Sequence, residues 1–199
     1  YMGKMKIKLC IFLLLGLLYS TGMQSQNVAI KTNLLSDAFL NINAGVEIGV
    51  APKWTIDVSG DYNGWKLSHQ RQWKHWLVQP EARWWFCDRF QGHFLGIHAH
   101  GGQYNVGGGL KNSINFLGTD VSPLGNHRVQ GWFVGAGIGY GYAIALAKHF
   151  NLEFEIGIGY AYSKFDKYKC AKCDSKIETG KHHHYFGLTK AEIGFVYLF

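Results

Sequence analysis

A chain of 199 residues is long enough for one domain, and its formal net charge of +7 looks basic. Three of the positive charges, Lys4, Lys6 and Lys8, sit in an N-terminal targeting segment. Losing them takes three from the +7 and leaves +4, so the charge does not argue for a nucleic-acid partner. No second apolar span follows that segment, which excludes a helical membrane protein.

In chain order, the first element is the basic start, the apolar run 9–18 and the small polar stretch 19–26, the three regions of a secretory signal peptide. Residues 1–26 are expected to be cleaved near Ser25 and Gln26, with Met2 or Met5 as initiator. Cys10 lies inside the apolar run without a lipobox before it and is read as part of the signal.

Eight alternating segments follow, at about 27–35, 41–50, 53–65, 73–87, 91–104, 131–147, 151–164 and 185–199. The sixth is the clearest. Trp132, Val134, Ala136, Ile138, Tyr140, Tyr142, Ile144 and Leu146 share one face, while Gly131, Gly135, Gly137, Gly139 and Gly141 share the other. Large residues outside and glycine inside fit a narrow, tightly curved barrel. The seventh repeats this with Phe154, Ile156, Ile158, Tyr160 and Tyr162 set against Glu153, Glu155, Gly157 and Gly159.

Turns after the second, fourth and sixth segments are short, and links such as 105–130 and 164–184 are long. That asymmetry is the transmembrane-barrel pattern, with the short side periplasmic. Trp54, Trp84, Phe86, Tyr197 and Phe199 mark one interfacial girdle. Tyr62, Trp76, Trp132, Tyr160 and Tyr162 mark the other. The last segment resembles the C-terminal insertion signal of bacterial outer-membrane barrels, carried by Glu192, Gly194, Tyr197 and Phe199. The resemblance implies recognition by the barrel assembly machinery.

The fold expectation is therefore all-β: an eight-stranded antiparallel up-and-down transmembrane β-barrel of residues 27–199, of the small OmpA/OmpX type, with a plugged interior. Its alternative is a soluble sandwich or lipocalin-like barrel with the apolar face turned inward. The membrane reading places the chain in the cell outer membrane, long loops extracellular and both termini periplasmic, in contact with lipid and lipopolysaccharide.

The inward face is then charged. Lys31, Glu47, Asp57, Arg83, Glu153 and Glu155 form an expected layer near the periplasmic end. Asp61, Glu81, His98, His100, Lys190 and Glu192 form a second layer above it. A mixed network of this kind plugs the lumen; a proton or small-ion path is the functional alternative, and a water-filled porin is too wide for eight strands. Acids outnumber Lys and Arg here, so His98 and His100 are read as cations or donors to them and not as free metal ligands.

The loops carry three further candidates. Cys170 and Cys173, with His182, His183 and His184, have the donor types for zinc, against a disulfide or unengaged thiols. No other cofactor is indicated. The basic, aromatic stretch 65–76 suits contact with anionic lipopolysaccharide or glycan. Ser68, His69 and His75 lie where a lipid-modifying barrel enzyme would hold its residues. No acid is placed to orient an imidazole, so the expectation is that the chain is not an enzyme.

Three runs, KTNLLSDA at 31–38, WKHWLVQPEARWW at 73–85 and GHFLGIHAH at 92–100, resemble an uncharacterised outer-membrane family of Bacteroidota, domain of unknown function 3575. The likeness covers nearly the whole mature chain and brings no catalytic residues with it. It implies that some relatives carry a C-terminal peptidoglycan-binding domain, which is not expected here, or are encoded beside fimbrial genes. The expected role is structural or interactive, through surface loops or as an accessory subunit among other outer-membrane proteins. The alternatives are a ligand- or metal-binding surface barrel and a lipid-modifying enzyme.

Overall fold

The computed structural model describes residues 27–68, 71–107, 115–116, 119–120, 127–169 and 175–199. The expected signal peptide, together with Cys170 and Cys173, lies outside the described residues. In chain order the elements are β1 (Val28–Asn33), α1 (Leu34–Ala38), β2 (Ile42–Ala51), β3 (Trp54–Asn63), β4 (Lys66–Ser68), β5 (Arg71–Trp85) and β6 (Gly92–Gly107). The short pair β7 (Asn115–Phe116) and β8 (Thr119–Asp120) follows, then β9 (Arg128–Ala147), β10 (Phe150–Tyr168) and β11 (Lys176–Leu198). No helix among the described residues is long and apolar enough to cross a membrane.

Every long strand pairs antiparallel with its neighbours. The order runs β3-β2-β1-β11-β10-β9-β6-β5, and β3 pairs with β5 as well, so the eight strands form a ring-like sheet. Closure gives each of these eight a hydrogen-bonded neighbour on both sides. At the seam between first and last strands, Ile30 lies opposite Tyr197 and Lys31 opposite Val196.

Alternation sends the apolar side chains outward. Ile97 is 66% exposed, Ile138 60% and Ile156 60%, while Glu47, Asp57, Arg83 and Glu153 are fully buried. Inside, the short-turn end is floored by Trp85, Phe90, Phe94, Val196 and Leu198. The Trp85 ring centroid sits 4.6 Å from that of Phe94. Phe90 is held there by a left-handed backbone (φ 64°) and by Asn151, whose side-chain N–H donates to its carbonyl at 2.6 Å. The inward glycines of β9 make the room. A Cβ at Gly141 would lie 2.2 Å from the Phe94 ring, and one at Gly135 2.4 Å from His100 Nε2.

Three features depart from the sequence reading. The first strand stops at Asn33, whose side chain accepts from the Leu35 N–H and caps the five-residue α1. The expected link 164–184 is mostly ladder: β10 and β11 continue pairing to Tyr168 and Lys176, which satisfies backbone groups a long loop would leave to water. The third is a bulge in β11. Gly157 faces Lys190 but Ile158 faces Leu188, so Thr189 is the extra residue and the alternation flips there.

Candidate functional site

Three members of the expected upper layer, Glu81, Lys190 and Glu192, join the lower layer in one cluster with Arg83 at its centre. Arg83 Nε donates to Glu81 Oε2 at 2.7 Å, Nη1 to Glu47 Oε2 at 2.8 Å and Glu153 Oε2 at 2.9 Å, and Nη2 to Glu155 Oε2 at 2.7 Å. A planar guanidinium suits this, because its five N–H groups diverge in fixed directions. Lys31 Nζ reaches Glu47 and Asp57, each at 3.1 Å, and Lys190 Nζ reaches Glu81 at 2.6 Å, Glu155 at 3.0 Å and Glu192 at 3.4 Å. Six carboxylates thus surround three fixed cations. They are brought together from β1, β2, β3, β5, β10 and β11 because side chains of every strand converge on one narrow axis.

The remaining members of the expected set sit higher. His98 is buried and shares a 2.9 Å hydrogen bond between Nε2 and Thr189 Oγ1. His100 packs between His98 and Phe133 with tilted rings, at centroid distances of 5.8 and 6.1 Å. Asp61 is half-buried at a cavity of about 120 Å³ that it shares with Lys31, Gln79, Thr189, Lys190 and Glu192.

Sequence reasoning missed the floor and its links to the cluster. Trp85 Nε1 donates to Thr55 Oγ1 at 2.9 Å, and the Thr55 hydroxyl donates to Glu47. Arg83 lies 4.6 Å over the Phe94 ring. Thr55, Trp85 and Phe94 are in phase with Asp57, Arg83 and His98, so alternation alone points to them. Thr189 has no such signal, since a bulge breaks the period.

Above the cluster the loop end opens into a cavity of about 620 Å³ lined by residues including Tyr62, His75, Trp76, Tyr104, Trp132 and Lys164. Beyond it, the β10–β11 tip is pinned by Asp166, which accepts from Lys176 at 2.7 Å and from the Gly180 N–H at 2.8 Å. Those two bonds, the lysine first, hold the Asp166 carboxyl below its ordinary range, and the same lysine bond raises Lys176.

The loop candidates are not gathered into one site among the described residues. His182 and His184 pack on Tyr162 and Tyr160 and bond their hydroxyls, whereas His183 stands between them on the opposite strand face. His75 lines the loop-end cavity, but the side chains of Ser68 and His69 lie outside the described residues. Cys87 is exposed and free. At the end of β11, Tyr197 and Phe199 point outward while Glu192 and Gly194 face in.

No curated protein matches the chain, and no solved structure does. The chain does match a family of proteins of unknown function. Its model, described as "Protein of unknown function (DUF3575)", matches residues 10–199, so the chain belongs to the DUF3575 family.

Proposed function

We propose that this chain is a small transmembrane β-barrel of a bacterial outer membrane, closed to flow, with a structural or interaction role as an accessory subunit or through its loop end. The observation that carries this reading is the inversion of polarity. Large aliphatic and aromatic side chains are exposed all round the ring while twelve ionisable side chains point into it. Water would penalise that outer surface heavily; hydrocarbon would not. A lumen filled by the Arg83 cluster and floored by Trp85 and Phe94 supports a plug over a pore.

The loop-end cavity favours a second reading, a ligand-binding surface barrel, since about 620 Å³ with aromatic and charged walls is the size of a small-molecule site. The two separate on mild detergent extraction of the native protein with mass spectrometry of what accompanies it. A reproducible stoichiometric partner supports the accessory role. A lone chain contradicts it and turns attention to the cavity.

A further inference from the structure

At the upper side of the cluster, three side chains that lie close together each have one atom held and one atom free. Glu81 Oε2 accepts from Arg83 and Lys190, and Glu155 Oε2 accepts from Arg83 and lies 3.0 Å from Lys190. His98 Nε2 is engaged by Thr189. The opposite atoms, Glu81 Oε1, Glu155 Oε1 and His98 Nδ1, are buried and have no hydrogen-bond partner among the described residues. Each of the three side chains offers a ligand atom within 4.8 Å of the other two. His98 Nδ1 is 3.8 Å from Glu81 Oε1, too far for a hydrogen bond. It lies within the span of two ligands of one ion, because donors about 2.1 Å from a metal are at most about 4.2 Å apart.

We propose that Glu81, His98 and Glu155 form a binding site for one divalent transition-metal ion of the zinc or manganese class, acting as a structural clamp across the lumen. Two carboxylates and an imidazole are ligands both ions accept. The site is prearranged: Arg83, Lys190 and Thr189 fix the orientation of each ligand through its other atom, the supporting contacts that metal sites require. Gly96 and Gly139 keep the space open, since a Cβ there would lie 2.0 Å from Glu81 Oε1 and 2.4 Å from Glu155 Oε1.

Charge points the same way. Six buried carboxylates against three fixed cations leave an excess of acid, and a divalent ion offsets two of those charges where uncompensated charge is costly. The clamp would join β5, β6 and β10, of which β10 is not adjacent to either of the others in the ring. The imidazole, which the sequence suggests is only a cation or donor, is here a neutral ligand. The inference stands apart from the membrane reading.

The test uses the full chain with Cys170 and Cys173 replaced by serine, so that loop thiolates cannot hold the probe. The protein is refolded with Co²⁺ or Zn²⁺, dialysed, and its metal content measured. We expect one equivalent retained, with a cobalt spectrum from nitrogen and oxygen ligands, and a fall in affinity of at least about 10-fold in His98→Gln and in Glu155→Gln. Folding of each variant is checked by its resistance to SDS unfolding. His182→Ala with His184→Ala is expected to leave the bound equivalent in place. Refolded protein that retains no metal, or metal retained equally by folded His98→Gln and Glu155→Gln, would overturn the proposal, the first result leaving the two carboxylates to share a proton instead.

Discussion

Replacing Arg83 by methionine keeps most of the side-chain volume and removes every donor. Four carboxylates, those of Glu81, Glu47, Glu153 and Glu155, lose a charge-assisted bond of 2.7–2.9 Å at once, in a place where Arg83 is fully buried. Breaking one buried pair costs about 3–5 kcal/mol, because the stranded charge stays out of water. Proton uptake by the stranded acids caps the penalty, so the expected loss is about 4–5 kcal/mol and not a multiple of it. With a urea slope of about 1–3 kcal/mol per molar, the unfolding midpoint in detergent should fall by about 1–5 M. Adding Glu153→Gln to Arg83→Met removes one stranded charge and should recover about 1 kcal/mol or more, which a double-mutant cycle measures. An unchanged midpoint in Arg83→Met would refute the view that this guanidinium organises the interior.

Three further perturbations probe other parts of the molecule. Gly141→Val would drive a side chain into the Phe94 ring, 2.2 Å from where its Cβ must go, and should cost about 1–3 kcal/mol by urea unfolding, as overpacking does. Ile138→Lys places a charge on an outer surface whose register neighbours are Ile97 and Ile158; folding into lipid vesicles should weaken by about 2–4 kcal/mol, and an unimpaired yield would contradict lipid contact. Asp166 has its carboxyl held low by Lys176 and Gly180, so its stabilising effect is fully present above the ordinary carboxylate range and is lost as pH falls through the depressed value. The protection factor of the Gly180 amide, with the intrinsic pH dependence of exchange divided out, should therefore fall on acidification, and Asp166→Asn should remove that dependence.

Period-two alternation is a local property, so the eight strands and the inward face were readable from residues such as Gly139 against Ile138 and Glu155 against Ile156. Which charges meet was not. Levels along a strand shift with tilt and shear, and so Glu81, Lys190 and Glu192, expected in a higher layer, join Arg83 in one cluster. Thr189 was hidden because a bulge changes phase without a composition signal, although Leu188 and Phe186 fall out of step with Phe195. The convergence of Glu81, His98 and Glu155 joins the paired strands β5 and β6 to the non-adjacent β10, and no spacing in the sequence encodes it. The α1 cap at Asn33 was legible in type, since Asn before an apolar pair is a helix start, but the strand pattern masked it.

Contact of the apolar face with lipid, and of the charged face with none, can be read from spin labels on single cysteines in an otherwise cysteine-free protein reconstituted in vesicles. Labels at Ile97, Ile138 and Ile156, all at least 60% exposed, are predicted to collide freely with oxygen and to be shielded from a water-soluble nickel complex. Labels at Lys74 and Lys164, beside the loop-end cavity, should show the reverse. Ready access of the nickel complex to the isoleucine positions would contradict the account and return the chain to a water-facing role.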